Sequence, residues 1–328
     1  MEKGTVKIFF FGSGAFAVPV LEALCLNTKI RMCGIITQPD KPAGRRMTLT
    51  PTPVGKWCES HSIECRKACS VNEPAFLESL KAEQPDMIVV VSFGQILKEP
   101  ILELPRLCCL NVHASLLPKY RGASPITSAV LNGDLESGVC FMQMDKGLDT
   151  GAVYETHRIT LAPDIRTDVL ENQLATLAAR KIVNCISSIA ENHLAAVPQN
   201  HAEATVSKKI RKSDGAMRWG DSAVAIERRI RAFYPWPSVC FLLPTQNRNV
   251  HVKITSGKSV PALCTDSPGK VLKIAPDGIT VSCGIGALLI ERVIPEGKKE
   301  MTAADFARGL RLGTDTVFAD GPAVPLKS

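Results

Sequence analysis

Asn111 and His113 stand two residues apart at the end of an apolar run, in a segment that reads Asn-Val-His-Ala-Ser-Leu-Leu-Pro and continues through Tyr120-Arg121-Gly122-Ala123-Ser124-Pro125. If the run from Leu107 is a strand that reaches position 113, the carboxamide and the imidazole point to one face. In such a pair one group can donate a hydrogen bond to a carbonyl oxygen while the other handles a proton. The plainer alternative is a strand-end histidine bonded to backbone. A second polar knot is Met144-Asp145-Lys146-Gly147-Leu148-Asp149-Thr150-Gly151. A carboxylate at 149 brought beside His113 would orient the imidazole, whereas an Asx-type turn explains Asp-Thr-Gly equally well.

The elements that would position these residues are legible in the apolar pattern. Val6 to Phe11, Met32 to Thr37, Asp86 to Ser92 and Leu107 to Val112 read as strands, with a helix over Phe16 to Leu26 after the first. Continuous apolar strands separated by helical patterns predict an α/β domain whose mostly parallel sheet is covered on both faces. Ligands of such sheets bind beyond the carboxyl ends of the strands, where Asn111 and His113 fall. Gly12-Ser13-Gly14 lacks the third glycine of a dinucleotide fingerprint and reads as a tight strand-to-helix turn. Gly138 to Met144 and Ala152 to Ile159 predict an added hairpin, and Asp168 to Ala190 a long amphipathic helix that closes the domain.

With 328 residues the chain exceeds the usual size of a single core, which predicts two domains. The boundaries expected are 1–190, a linker at 191–212, and 213–328. The last part shows a helix from about Asp221 to Phe233, then short strand-like runs between Gly and Pro turns, a pattern that suggests a small barrel. Arg231-Ala232-Phe233-Tyr234-Pro235-Trp236-Pro237 reads as the joint between helix and strands, and Thr302 as the cap of a final helix over Ala303 to Leu310. Charge divides sharply along the chain. Residues 1–205 hold 20 Lys and Arg against 21 Asp and Glu, and residues 206–328 hold 19 against 11. A segment so basic attracts a polyanion without reading any base, although solubility alone would also account for it.

No apolar run approaches the roughly 18 residues that suggest a membrane span, and Met1-Glu2-Lys3-Gly4 leads straight into a strand; a cytoplasmic protein with no membrane association is expected. The 12 cysteines include no Cys-x-x-Cys pair and several lie in apolar runs, so reduced core thiols and no metal site are expected. Gln38-Pro39-Asp40-Lys41-Pro42-Ala43-Gly44-Arg45-Arg46 is a long cationic loop of the kind that contacts ligands.

Taken together, Asn111-Val112-His113 with Ser115-Leu116-Leu117-Pro118 and Arg121-Gly122, then Asp149-Thr150-Gly151, then Arg231-Ala232-Phe233 with Pro235-Trp236-Pro237, resemble the methionyl-tRNA formyltransferase family over nearly the whole chain. The resemblance implies a Rossmann-like formyltransferase domain followed by an OB-like β-barrel. It implies transfer of the formyl group of 10-formyltetrahydrofolate to the α-amino group of methionine on initiator methionyl-tRNA, by a monomer that needs no metal. By the same resemblance Asn111, His113 and Asp149 are catalytic, and Ser115, Leu116, Leu117 and Pro118 line the folate pocket. Arg45, Arg46, Lys208, Lys209, Arg211 and Lys212 then face the tRNA. The chain departs from its relatives at Ser13-Gly14-Ala15, and again at Met47-Thr48-Leu49-Thr50, where some relatives carry extra lysines. The alternative reading is a folate-dependent formyltransferase acting on a sugar-nucleotide or other small amine, which needs no basic second domain.

Overall fold

The first strand, β1 (Val6–Gly12), is apolar apart from Lys7 and buried on both faces from Ile8 onward. The computed structural model describes residues 5–43, 47–245, 248–262 and 266–322. Its contacts form two units. One comprises residues up to Pro125 with Glu136–Thr160 and Leu170–Ser207; the other comprises Ile126–Leu135, Leu161–Val169 and residues from Lys208 onward.

In chain order the elements after β1 are α1 (Ala17–Cys25), β2 (Ile30–Thr37), β3 (Lys41–Ala43), β4 (Thr48–Thr50), α2 (Pro53–Ser60), β5 (Arg66–Lys67), α3 (Pro74–Glu83), β6 (Met87–Val91), α4 (Glu99–Leu102), β7 (Cys108–His113), β8 (Arg121–Gly122) and α5 (Pro125–Asn132). β9 (Glu136–Gln143), β10 (Val153–Thr160), α6 (Thr167–Ala190) and β11 (Val206–Ser207) follow. Seven strands form one sheet in the order β10-β9-β7-β6-β1-β2-β5. β5, β2, β1, β6 and β7 run parallel, and the β9–β10 hairpin adds antiparallel strands beside β7.

Period-2 alternation explains why both faces are apolar. Phe9, Phe11, Ile88, Val90 and Cys109 join one buried cluster with Leu80 of α3, while Ile8, Phe10, Val89 and Leu110 are buried on the opposite face. α6 buries the stripe Leu170, Leu174, Ala178, Ile182, Cys185 and Ile189. β1, β2, β6, β7, β9 and β10 begin and end within two residues of the expected positions, whereas the short β3, β4, β5 and β8 were not foreseen. Helices α2 and α3, missing from the sequence reading, each begin with a proline, which is suited to a helix start because it lacks the amide hydrogen that would go unbonded there.

Segment 191–207, expected to belong to a linker, is tied to the first unit: β11 pairs in parallel with β8, and Val197 bridges Val153. The eleven described cysteines are free, six of them buried, four half-buried and Cys69 exposed, and burial pushes the Cys108 thiol up to about 11.

The second unit is β-rich. Helix α7 (Ala223–Ala232), capped by Ser222, precedes β12 (Val239–Pro244), β13 (Asn249–Val260), β14 (Val271–Ala275), β15 (Gly278–Ser282), β16 (Ala287–Pro295), β17 (Met301–Thr302) and α8 (Ala303–Leu310), which is capped by Thr302 as expected. The strand order is β12-β13-β16-β15-β14, with β17 beside β16. Among the described residues the edge strands β12 and β14 do not pair with each other, so the ladders give an antiparallel sheet that strand pairing alone does not close into the expected barrel. Residues 316–319 instead bond near both edges, through Leu242 with Ala319 and through Val271 with Thr316. Trp219, 1% exposed, packs against Phe241 and Phe318 in the core of this unit.

Candidate active site

β7 carries Asn111 and His113 to the carboxyl end of the sheet, where Asn111 pairs in register with Val90 of β6 and Met142 of β9, and His113 with Cys140. The two residues share a face, and the β9–β10 connection returns Asp149 to that face. Asn111 Nδ2 donates to Asp149 Oδ1 at 3.3 Å, and His113 Nδ1 lies 3.7 Å from Asp149 Oδ2. The backbone N–H of Gly122 donates to the same Oδ2 at 2.7 Å. Carboxamide, imidazole and carboxylate, spread over 39 positions of sequence, therefore converge. His113 is buried and Asp149 nearly so, with side chains 6% and 14% exposed. The Asp149 carboxylate thus acts on its neighbours through a poorly screened environment.

The imidazole is oriented by a group that sequence reasoning did not single out. His113 Nε2 lies 3.0 Å from the carbonyl oxygen of Tyr120. A carbonyl can only accept, so Nε2 carries the hydrogen and Nδ1 is the nitrogen that faces Asp149. At 3.7 Å that carboxylate is beyond hydrogen-bond reach, so it acts on Nδ1 as a nearby charge and not as the group that aims the ring.

The loop after β7 folds on itself. The Ser115 hydroxyl donates to the Lys119 carbonyl at 2.6 Å, and the Leu117 N–H donates to Cys140 Sγ at 3.3 Å. Ser115 is buried and its hydroxyl hydrogen is committed to that loop, whereas Leu116, Leu117 and Pro118 remain half-buried, an apolar surface beside the trio.

Gly122 has φ +108°, and a Cβ there would meet the Ser207 carbonyl oxygen at 2.6 Å. Both facts exclude a larger residue. Replacing Gly122 with Ala is therefore expected to lower stability by about 1–3 kcal/mol in urea denaturation. Turnover should fall with it, because the amide that grips Asp149 must shift.

Of the cationic residues expected at a nucleic-acid surface, Arg45 and Arg46 lie outside the described residues. Their flanks pair as the antiparallel β3–β4 ladder, and Asp40 binds Lys67 at 2.8 Å. Lys208, Lys209, Arg211 and Lys212 are all exposed and belong to the second unit. Among the described residues no group of three or more His, Cys, Asp or Glu side chains could hold a metal ion, and no helix is long and apolar enough to cross a membrane.

The residues missed were those whose work is done through backbone or across long sequence distance. Tyr120 acts by its carbonyl, which any residue supplies, and Gln199 sits in a stretch whose Pro-Gln-Asn composition looks like connector. Its buried amide bonds are invisible to local pattern.

Comparison with known proteins identifies the family. Residues 6–186 match the Formyl transferase family and residues 209–311 match the family described as Formyl transferase, C-terminal domain. The chain is 37% identical to a methionyl-tRNA formyltransferase of Roseiflexus sp. over 97% of both chains, and 39% identical to that of Desulfotalea psychrophila, again over 97% of both. Among solved structures it resembles the N-formyltransferase from Helicobacter canadensis in complex with folinic acid and dTDP-3-aminofucose, with a TM-score of 0.62 and 17% identity over 90% of this chain and 100% of the other.

Proposed function

The chain belongs to the formyl transferase family and is methionyl-tRNA formyltransferase-like, and we propose that it transfers the formyl group of 10-formyltetrahydrofolate to the α-amino group of methionine on initiator methionyl-tRNA. The observation that carries this reading is end-to-end agreement with methionyl-tRNA formyltransferases, at 39% identity over 97% of the chain in one case, through the basic segment as well as the sheet domain. A net charge of +8 over residues 206–328, 19 cations against 11 anions, supports a polyanionic acceptor. The exposed Lys208, Lys209, Arg211 and Lys212, with Arg45 and Arg46, supply cations for its phosphates. In this reading the C-terminal sheet is an OB-like barrel that offers the tRNA a basic face, and the enzyme works as a cytoplasmic monomer.

The donor fits the surroundings of the trio. Leu116, Leu117 and Pro118 offer half-buried apolar surface to a flat heterocycle. When bound, 10-formyltetrahydrofolate supplies an activated formyl carbon. Asn111 spends one amide hydrogen on Asp149 and, among the described residues, leaves the other for the formyl oxygen as negative charge gathers there. Attack by the neutral amine forms the new C–N bond. His113 then delivers a proton to the folate nitrogen as its bond to the formyl carbon breaks. Asp149, beside Nδ1, stabilises the charged imidazole and takes up the proton lost by the amine. The acceptor nitrogen is itself the nucleophile, so no covalent enzyme intermediate is needed.

The reading is tested by offering the purified chain 10-formyltetrahydrofolate with initiator methionyl-tRNA, elongator methionyl-tRNA or a sugar-nucleotide amine, with and without chelator. Transfer confined to the initiator and unchanged by chelator is expected. Transfer to the sugar-nucleotide amine with both tRNAs inert would replace it by the small-amine reading.

A further inference from the structure

Asp149 lies in the left-handed region, φ +52°, on the connection between β9 and β10, so its carboxylate is only as well placed as the turn beneath it. Two carbonyl oxygens of that turn accept from one donor. Gln199 Nε2 donates to the carbonyl of Asp149 at 3.0 Å and to that of Gly151 at 2.7 Å. At the other end of the same side chain, Oε1 accepts from Arg121 Nε at 3.0 Å and from Arg121 Nη2 at 2.7 Å. Gln199 and Arg121 are each 8% exposed. Both amide hydrogens and both lone pairs of the Gln199 side chain are thus committed to protein. None is left to touch a substrate.

These bonds close a ring around the carboxylate. Gln199 holds the backbone of Asp149 and the guanidinium of Arg121, and the residue after Arg121 is Gly122, whose N–H grips Asp149 Oδ2 at 2.7 Å. The backbone of the same segment is secured by Arg121 N–H donating to Thr205 O at 2.8 Å and by Ser207 Oγ donating to Arg121 O at 3.1 Å. The segment between Val197 and Ser207 therefore braces both loops that define the trio.

We infer that Gln199 is a positioning residue for the transfer reaction: its amide fixes the 149–151 turn against Arg121 and so sets the approach of Asp149 to His113. The inference rests on the reading above, in which that approach is used in catalysis. Glutamine is singular here because the position needs two donors on one side and an acceptor on the other. Glutamate would keep the acceptor for Arg121 but present oxygen to two carbonyl oxygens. Leucine would keep the volume and lose every bond.

The test is steady-state transfer to initiator methionyl-tRNA by full-length wild type, Gln199→Leu and Gln199→Glu, alongside thermal melting. Both variants are expected to lose about 10²-fold in kcat, the scale of a misplacement near 1 Å. KM for the folate donor should stay within about threefold. Gln199→Glu should still melt cooperatively, below wild type because an oxygen then faces two carbonyl oxygens, but folded since it retains Arg121 as an ion pair. A folded variant with kcat within about threefold of wild type, or a loss confined to KM, overturns the inference. Should Gln199→Leu fail to fold, Gln199→Glu alone decides; failure of both to fold makes the residue structural and also overturns it. A wild-type chain that forms no formylated methionyl-tRNA removes the parent reading instead.

Discussion

His113→Ala is expected to lower kcat for formyl transfer by about 10²–10⁴-fold, the range over which a positioned general acid or base contributes. The imidazole is buried beside Asp149, and its Nε2 is held by the Tyr120 carbonyl, so its place in the site is fixed. The loss should appear in kcat with little change in KM for the folate, because the apolar loop at Leu116–Pro118 remains. His113 is one strand-end residue in a seven-stranded sheet whose core does not depend on the ring, so the variant should keep its circular dichroism and melt cooperatively. Turnover within tenfold of wild type in the folded variant would remove His113 from the chemistry.

Asn111→Ala is expected to cost about 10²–10³-fold in kcat, the loss seen when one preorganised donor to a developing oxyanion is removed. Asn111 sits inside β7, with its backbone in register with Val90 and Met142, so truncating its side chain leaves the ladder intact. It also frees Asp149 Oδ1 from its 3.3 Å bond while the Gly122 amide keeps Oδ2. The double variant with His113→Ala should fall short of the product of the single losses, since residues that act as a unit are not additive. Strict multiplicativity would mean that carboxamide and imidazole act on separate steps. A kcat for Asn111→Ala near wild type would reassign the carboxamide to holding Asp149 alone.

On the inference drawn above, Gly122 and Gln199 serve the reaction without touching substrate. Asp149 is attached to a loop, and a carboxylate on a loop gains precision only from the groups that hold it. Here those are a backbone N–H on one side and a buried glutamine amide beneath, both braced by the segment that precedes the basic run at Lys208.

Much of this was legible before any coordinates. Val6–Phe11, apolar but for Lys7, Met32–Thr37 and the Met87–Val91 run have the length and composition of buried strands, and the helical pattern between the first two pointed to a parallel sheet. The two-residue spacing of Asn111 and His113 declared a shared face, and the concentration of cations after residue 205 is a matter of counting. These are local quantities: strand period, run length and charge, each set by neighbours within a few positions.

Long-range geometry was not. Nothing near Asp149 says that its carboxylate will meet a strand 36 residues earlier, nor that the Gly122 N–H will bind it. The tilt of the imidazole toward the Tyr120 carbonyl, the burial of Gln199 against Arg121 and the bonding of residues 316–319 to the edges of β12 and β14 arise only when distant segments pack, because hydrogen bonds between them are specified by three-dimensional closeness and carry no periodic trace in the chain. Residue order thus fixes which chemistry is available and which elements will present it. Packing chooses which donor meets which acceptor, since a buried polar group must find its partner wherever in the chain that partner happens to lie.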